Sequence, residues 1–311
     1  MCTAVYYERG NIFGRTLDLE CSYGEKICTV PRGFSLVYKN IEREDCHAAF
    51  IGMAHSVVGY PLLYDGVNEY GVAAAALNFP GYAKYHKPKA GCVNLASFEI
   101  LQYVLARAHS LSDARELLRS VWVTDEPFSA DLLATPLHFI VSSKDGSIVA
   151  EPCDGGLEIT ENLHGVLSNA PEISYHLVRM ADFRHLSPSL GENSLSPNTP
   201  LPVYSRGLGA VGLPGDFSSS SRFVRAVYAK NHTLLEEPCG RKERLSAFFH
   251  LMGTVTVPLG CVLTEDGKPV FTVYTSAMEL DSMTYSYVTY DDGSIRSVRL
   301  DKPDGEEVTW H

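Results

Sequence analysis

A cysteine directly follows the initiator methionine in the opening stretch MCTAVYYERG. Once Met1 is removed, Cys2 carries a free α-amine beside its own thiol. Because an α-amine has a pKa of about 7.7–8.0, part of it is unprotonated at neutral pH and can accept a proton. One residue thus supplies a nucleophile and a general base and needs no histidine partner. We expect removal of Met1 by itself to mature such an enzyme.

Arg15 and Asp18 lie shortly after this cysteine, in the stretch FGRTLDLE. Residues 2–8 and 11–19 are apolar runs joined by the turn sequence RGN, a pattern that predicts a β-hairpin. The hairpin would place both side chains beside Cys2, where a carboxylate orients the amine and a guanidinium favours the thiolate. A surface ion pair is the alternative role. Since uncompensated buried charge is costly, we expect both residues to have partners.

The other motifs do not indicate a metal or cofactor. The eight cysteines include no CxxC pair, and the 11 histidines form no pair with ligand spacing. The stretch GLGAVG at 207–212 fits a dinucleotide-binding pattern, but LPGD follows where a helix should begin. We therefore predict a glycine-rich loop there, and a protein with no cofactor and no metal site.

Composition limits the class of partner. The chain has 311 residues, a formal net charge of −11 and a pI near 5.4. This balance argues against nucleic acid or an anionic membrane surface, while a few local arginines would still accept a small anionic ligand. No run approaches the ~20 apolar residues of a membrane span, and Glu8 and Arg9 interrupt what would be a signal peptide. We expect a cytoplasmic protein.

The predicted elements alternate between blocks of strands and blocks of helices. Strands are predicted at 26–38, 48–54 and 71–79, and turn sequences at 145–146, 265–267 and 291–293 predict hairpins. Helices are predicted at 95–108, capped by Asn94, and at 112–118, 173–185, 221–232 and 242–254. This order indicates a single α+β domain over residues 1–311. Residues 186–203 would form a long exposed loop, or an arm that reaches a neighbouring subunit.

Seven stretches carry a family resemblance that runs over nearly the whole chain. They are MCT, FGRTLDLE, LNFPGYAKY, GVLSNAP, YSRGLGAVGLPGDFSSSSRFVRA, FFHLMGTV and VYTSAMELDSMTYSYVTY. In this order they resemble the choloylglycine hydrolase family of N-terminal nucleophile hydrolases, meaning bile salt hydrolases and penicillin V acylases. The resemblance implies an αββα four-layer sandwich, with two antiparallel sheets between helix layers. It also implies a homo-oligomer, usually a tetramer.

The same resemblance implies how the N-terminal residues act. Cys2 attacks an amide carbonyl, and its α-amine serves as the proton shuttle. Asp18 and Arg15 position that amine and tune the thiol. The chemistry inferred from the residue types and the role implied by the resemblance therefore agree.

Three further residues are implied to stabilise the oxyanion. Asn169, in LSNAP, offers its side-chain amide, and Asn78, in LNFPGYA, offers its backbone N–H. Arg222, in SSSRFVR, adds positive charge. Preorganised donors of this kind often make the largest catalytic contribution. A turn role beside a nearby proline is the alternative for both asparagines.

Asn78 also bears on the choice of substrate. The residue resembles that of bile salt hydrolases, as does FPGYAKY, whereas penicillin V acylases tend to carry tyrosine at this position. YTSAMEL, in contrast, stands where bile salt hydrolases often have YSSCCN. A conjugated bile salt is a rigid apolar steroid that ends in glycine or taurine, so it needs an apolar, aromatic cleft. Candidate cleft residues, each of which would fit equally well in the core, are Tyr23, Tyr60, Leu62, Leu63 and Phe128.

Three functions follow from these observations. The first is hydrolysis of the amide bond of conjugated bile salts by an N-terminal cysteine. The second is the same chemistry on penicillin V or another N-acyl amide. The third is an inactive binder of anionic amphiphiles, which retention of Met1 would favour because it blocks the amine.

Overall fold

The computed structural model describes residues 1–236, 238–301 and 304–311. Its strands are β1 (Cys2–Tyr7), β2 (Ile12–Leu19), β3 (Lys26–Val30), β4 (Phe50–Val57), β5 (Tyr60–Asn68), β6 (Ala73–Asn78), β7 (Val93–Ala96), β8 (Val121–Thr124), β9 (Leu137–Ser143), β10 (Gly146–Cys153), β11 (Gly156–Glu161), β12 (Val166–Leu167), β13 (Val262–Leu263), β14 (Pro269–Glu279), β15 (Thr284–Thr289), β16 (Arg296–Arg299) and β17 (Thr309–Trp310). Its α-helices are α1 (Ile100–Arg107), α2 (Leu111–Arg119), α3 (Ile173–Arg179), α4 (Ser219–His232) and α5 (Arg241–Gly253).

The first sheet joins the N-terminal hairpin to the C-terminal strands. Its order is β12-β1-β2-β14-β15-β16, with β13 on β14, and all these pairs are antiparallel. A 3-10 turn at Glu8–Gly10, followed by Asn11 at φ 48°, closes the β1–β2 hairpin. The register places Cys2 opposite Leu17. The predicted hairpin is confirmed, and it brings the start of the chain against FGRTLDLE.

The second sheet is built mainly from the first half of the chain. Its order is β11-β10-β9-β6-β5-β4-β3-β17, antiparallel throughout. The central strand β6 has a continuous apolar sequence and buried alanines, as its pattern predicted. β6 pairs with β5 only over Ala73–Ala75, so the two strands separate beyond Ala75. This opening leaves backbone groups of β5 and β6 available to other partners.

Helices cover the outer face of each sheet. α4 and α5 pack on the first sheet, with α3 against α4, and α1 and α2 pack on the second sheet. One apolar cluster joins the two sheets and continues under α4, and its members include Leu77 and Phe223. Another lies beneath α1 and includes Leu101 and Phe139. This layering confirms the α+β class and the αββα sandwich.

One predicted helix begins later than its sequence pattern indicated. Asn94, predicted to be the helix cap, lies in β7, which pairs in parallel with β8, and its side chain bonds to the backbone of Lys89. Helix α1 begins at Ile100, after a turn in which the Glu99 carboxylate accepts the Ala96 N–H at 2.8 Å. The prediction was wrong because the strand pairing of VNLA with a distant segment prevails over local propensity.

Most of the other predicted elements are present with small shifts. The strand predicted at 26–38 ends at Val30, directly before Pro31. The helix predicted at 173–185 ends at Arg179 and continues as a 3-10 turn. The three predicted hairpins are confirmed. Residues 186–203 contain no helix or strand.

Two further properties concern the residues that the structure describes. None of their helices combines the length and the apolar character needed to cross a bilayer. The same ranges contain no group of three or more His, Cys, Asp or Glu side chains placed to hold a metal ion.

Candidate active site

Cys2 is buried at the start of β1, with 3% of its surface exposed. Its backbone N–H donates to Asn169 Oδ1 at 2.7 Å, and its sulfur accepts from Arg15 Nη2. Met1 extends the strand by one pair, since its carbonyl accepts the Asp18 N–H at 3.0 Å and its ammonium donates to the Asp18 carbonyl at 2.6 Å. Removal of Met1 would leave the Cys2 nitrogen as the free amine, next to Asn169 Oδ1.

Arg15 is fully buried on β2 and reaches across to the second sheet. Its Nη1 donates to the carbonyls of Tyr64 (3.0 Å) and Ala76 (2.8 Å), and its Nε donates to that of Thr16 (3.2 Å). Tyr64 and Ala76 lie where β5 and β6 separate, so their carbonyls are available to the guanidinium. These bonds fix the guanidinium plane and leave Nη2 against the Cys2 sulfur, where positive charge favours an anion.

The two buried arginines of the site stand in different electrostatic surroundings. Burial lowers the pKa of Arg15, but negative charge, first at Cys2 and then at Tyr274 and Asp65, outweighs that effect and raises the pKa above its ordinary value. Burial also lowers the pKa of Arg222, and there the nearby negative charges compensate only in part. Because a guanidinium keeps its proton in proteins, the site holds two positive charges close to the thiol.

Asp18 is held by two threonine hydroxyls. Thr272 Oγ1 donates to Asp18 Oδ1 at 2.7 Å, and Thr16 Oγ1 donates to Oδ2 at 3.2 Å. Each hydroxyl also accepts a backbone N–H, from Val257 and Thr3 respectively, so its own proton is directed to the carboxylate. The two threonines therefore fix the orientation of the Asp18 carboxylate.

Asn169 connects the remaining site residues. Its Oδ1 accepts from the Cys2 N–H and from Arg222 Nη2, both at 2.7 Å, and its Nδ2 donates to the Asn78 carbonyl at 2.7 Å. Arg222 Nη1 also donates to the Cys2 carbonyl and to Thr3 Oγ1. These partners fix the orientation of the Asn169 amide, whose Nδ2 keeps a second hydrogen for another acceptor.

Asn78 is the last residue of β6, beyond the part that pairs with β5. Its carbonyl accepts from Asn169, whereas the next residue, Phe79, donates its N–H to the Pro136 carbonyl at 2.8 Å on the other edge. Because the N–H and C=O of one strand residue point to the same edge, the Asn78 N–H faces the Asn169 side. Asn78 Oδ1 is buried and has no hydrogen-bond partner among the described residues.

Four residues that the sequence did not single out hold this cluster. Thr16 and Thr272 orient Asp18, as described above. Ser219 Oγ donates to the Asn169 carbonyl at 2.7 Å, and His176 Nε2 lies 3.0 Å from the same oxygen. Burial lowers the pKa of His176, which favours the neutral ring. Thr16 and Thr272 lie within buried runs, whereas Ser219 and His176 have exposed or half-buried neighbours, so the sequence does not reveal their partners.

The five predicted cleft residues do not share one environment. The rings of Tyr60, at the start of β5, and Phe128, on the loop between β8 and β9, lie 5.6 Å apart. Tyr23 is 51% exposed, and Leu62 is half-buried. Leu63 is 8% exposed and packs into the core beneath α1. Four of the five thus present surface to solvent, whereas Leu63 contributes mainly to the core.

Comparisons of sequence and structure decide the family. Residues 2–306 match the linear amide C–N hydrolases, choloylglycine hydrolase family. The chain belongs to this family. A bile salt hydrolase/transferase of Lactiplantibacillus plantarum is 41% identical over 301 residues, which cover 96% of this chain and 92% of that protein.

Solved structures of choloylglycine hydrolase relatives agree with the fold. A C2A mutant of the conjugated bile acid hydrolase of Clostridium perfringens matches with a TM-score of 0.92 at 32% identity, covering 100% of this chain and 96% of the other. The penicillin V acylase of Agrobacterium tumefaciens shares the fold, with a TM-score of 0.76 at 21% identity and coverage of 100% and 90%. The protein is therefore a linear amide C–N hydrolase with an N-terminal nucleophile hydrolase fold.

Proposed function

We propose that this choloylglycine hydrolase cleaves the amide bond of glycine- or taurine-conjugated bile salts, with Cys2 as the nucleophile. The observation that carries the proposal is the position of Cys2, whose sulfur contacts the buried Arg15 guanidinium while its nitrogen contacts Asn169. Two of the proteins named above, the bile salt hydrolase/transferase and the conjugated bile acid hydrolase, are named for action on bile salts, and they resemble this chain over nearly its whole length. The penicillin V acylase supports the fold alone.

The proposed reaction proceeds through a thioester. The free α-amine of Cys2 takes the thiol proton, and the sulfur attacks the amide carbonyl carbon. The C–N bond then breaks, and the amine gives its proton to the leaving nitrogen of glycine or taurine. In the second half, the amine takes a proton from water, whose oxygen attacks the thioester. The bile acid leaves, and the sulfur recovers its proton.

Two donors on one edge of β6 would stabilise the oxyanion in both halves. They are the Asn78 N–H and the second hydrogen of Asn169 Nδ2, and Arg222 fixes the Asn169 amide that carries the latter. Loss of one such donor typically costs about 10²–10³ in kcat. Arg15 would hold the sulfur as an anion until it attacks.

The steroid would lie against the start of β5, which carries Tyr60, Leu62 and Leu63, and against the loops that carry Tyr23 and Phe128. The contact between Tyr60 and Phe128 supports a continuous apolar wall. Leu63 would support this wall from the core side, since little of it is exposed. A rigid apolar ligand gains most of its affinity from such surfaces, with few polar anchors.

We also propose that residues 1–311 form one domain and that the protein is a cytoplasmic homotetramer in which residues 186–203 contact a neighbour. The first sheet supports one domain, because it pairs β2 with β14. The loop supports the assembly, because Leu190, Leu195 and Leu201 are 53%, 90% and 53% exposed. Analytical ultracentrifugation should give four times the chain mass of 34.2 kDa. A monomer at micromolar concentration would contradict this assembly.

The test of substrate class compares kcat/KM for glycocholate, taurocholate and penicillin V on protein whose Met1 is shown by mass spectrometry to be absent. Faster release of glycine or taurine is expected. Faster release of phenoxyacetate would keep the Cys2 mechanism and move the protein to the acylase branch. Tight binding of glycocholate without turnover would favour the inactive binder.

A further inference from the structure

Asp65 is a fully buried carboxylate of β5 that faces the first sheet. Its Oδ1 accepts from Tyr285 OH at 2.6 Å, and its Oδ2 accepts from Tyr274 OH at 2.9 Å and Ser276 Oγ at 3.2 Å. Three hydroxyls from β14 and β15 therefore converge on one carboxylate between the sheets. Burying a carboxylate in such a place is costly unless a positive charge compensates it.

The compensating charge in this space is Arg15. The side-chain hydrogen bonds of Arg15 within the described ranges go to three backbone carbonyls and the Cys2 sulfur, none of which is a carboxylate. Ser276 links the two groups, since its Oγ accepts the Arg15 backbone N–H at 3.2 Å and donates to Asp65. Asp65 also directly follows Tyr64, whose carbonyl binds the guanidinium.

The charge balance of the buried cluster also indicates that Asp65 compensates the charge of Arg15. Arg15 and Arg222 are both fully buried cations, and Asp18 is a fully buried carboxylate held by the two threonines. Without Asp65, these three groups carry one excess positive charge next to the thiol. With Asp65 ionised, the two arginines and the two carboxylates have no net charge. Cys2 itself also has no net charge, whether it carries a thiol and a neutral amine or a thiolate and an ammonium.

We propose that Asp65, held by Tyr274, Tyr285 and Ser276, is the buried counter-ion of Arg15 and thereby a positioning residue for the Cys2 nucleophile. The inference rests on the proposed function in one respect, the use of Cys2 as nucleophile. Asp65 acts through Arg15: it fixes the net charge that the sulfur experiences. It thus sets how strongly the guanidinium stabilises the anion relative to the thiol.

The charged and titratable groups that face Asp65 come from both sheets. Burial raises the pKa of Asp65, while Arg15 and the hydroxyls of Tyr285 and Tyr274 oppose that shift. Burial also raises the pKa of Cys28 on β3, and the charge of Asp65 adds to this effect. The negative charge of Asp65 contributes in turn to the raised pKa of Arg15.

The test is Asp65→Asn, which keeps the shape of the side chain and removes its charge. Alkylation of Cys2 by iodoacetamide is followed against pH by peptide mass spectrometry on Met1-free protein, together with kcat and KM for glycocholate. We expect the midpoint of the Cys2 profile to move to lower pH by about one unit, because a nearby buried negative charge is lost. We expect kcat to fall at least tenfold and KM to change less than threefold. Alkylation of the exposed Cys46 and Cys261 in the same sample shows how the reactivity of iodoacetamide with other cysteines changes with pH.

Glu279→Gln provides the matched control. Glu279 is a buried carboxylate near the other end of the first sheet, where it binds Arg241 at 2.7 Å and lies opposite Ile12. Its loss should lower stability and leave the Cys2 alkylation profile in place. A shift in this variant as large as that of Asp65→Asn would show that any buried carboxylate has the effect, and would overturn the proposal.

The remaining outcomes are also decisive. A folded Asp65→Asn variant with an unchanged alkylation profile overturns the proposal, even if kcat falls, because its role is then only structural. If this variant does not fold, the double variant Tyr274→Phe/Tyr285→Phe should give a smaller shift in the same direction, and no shift would overturn the proposal. If the parent protein fails to cleave glycocholate but the shift appears, the bile salt function is wrong and the counter-ion role stands.

Discussion

The proposed reacting groups and the proposed steroid-binding groups of this protein lie in two differently built regions. Cys2, Arg15 and Asp18 are buried in paired strands, and each is held by several hydrogen bonds. Tyr23 and Phe128 lie on the segments that join β2 to β3 and β8 to β9, where most residues are exposed. Paired strands hold their residues by ladder hydrogen bonds, whereas loops tolerate change. The comparison indicates that the chemistry is rigidly determined while substrate preference is adjustable.

Replacement of Cys2, the proposed nucleophile, should cause the largest loss of activity in the buried region. Cys2→Ala eliminates the sulfur and should lower kcat for glycine release by at least about 10⁴, since loss of a nucleophile leaves only binding and oxyanion stabilisation. Cys21→Ala, an exposed cysteine on the edge of the other region, is the control and should retain activity. Comparable turnover by the Cys2 variant would eliminate the proposed mechanism.

Asn169→Ala should cause the next largest loss of activity. It removes the proposed side-chain donor to the oxyanion and an acceptor for Arg222, and we expect kcat to fall by about 10²–10³. Asn162→Ala is the matched control, because Asn162 is also a buried asparagine near β12 and bonds to the Val166 carbonyl. It should cost stability in urea unfolding while kcat stays within a few-fold. Equal losses of kcat in both variants would assign Asn169 a structural role only.

Asp18→Asn should have an intermediate effect. The amide keeps the shape and one oxygen for Thr16 and Thr272 but cannot orient an ammonium by charge. We expect the fold to remain, with kcat reduced by about 10², the lower end of the range for a group that assists proton transfer. Steady-state kinetics and circular dichroism measure the two effects. Unchanged kinetics would show that Asp18 does not orient the amine.

Leu62→Ala and Leu63→Ala should affect different properties, although the two residues are adjacent. Leu62 is half-buried, so its truncation should raise KM for glycocholate by about 10-fold or less, with little change in stability. Leu63 packs in the core, so its truncation should cost about 2–5 kcal/mol in urea unfolding. The opposite assignment of the two effects would mean that the steroid lies on the other face of β5.

The smallest expected effect concerns pH. Burial places the pKa of His176 below its ordinary value of 6.5. Below pH 6.5 the unfolded chain therefore binds a proton that the folded chain excludes, so stability is full above 6.5 and declines as the pH falls toward the lowered pKa. His176→Gln should flatten this decline in urea midpoints measured from pH 7 to pH 5. His164→Gln serves as a comparison, since burial also lowers the pKa of His164. An equally steep decline without His176 would contradict this account.

Local sequence determined a large part of this protein. The RGN turn, the apolar runs that it joins and the three turn sequences predicted hairpins that the fold contains, because tight turns depend on the conformational preferences of a few adjacent residues. The residue types around Cys2 predicted a self-sufficient nucleophile, since an amine and a thiol on one residue need no partner from elsewhere. The motif order then led to the choloylglycine hydrolase family, which the comparisons confirm.

The tertiary structure decided what holds these groups. Arg15 bonds to Tyr64 and Ala76, which are 49 and 61 residues away, and Asp18 bonds to Thr272, which is 254 residues away. The hydrophobic pattern of a short stretch cannot predict these contacts, because they depend on where β5 and β6 separate and on how the two sheets face each other. For the same reason the sequence placed Asn94 in a helix cap, while parallel pairing placed it in a strand. The residue types indicated the chemistry of the site, and contacts between distant strands determined its geometry.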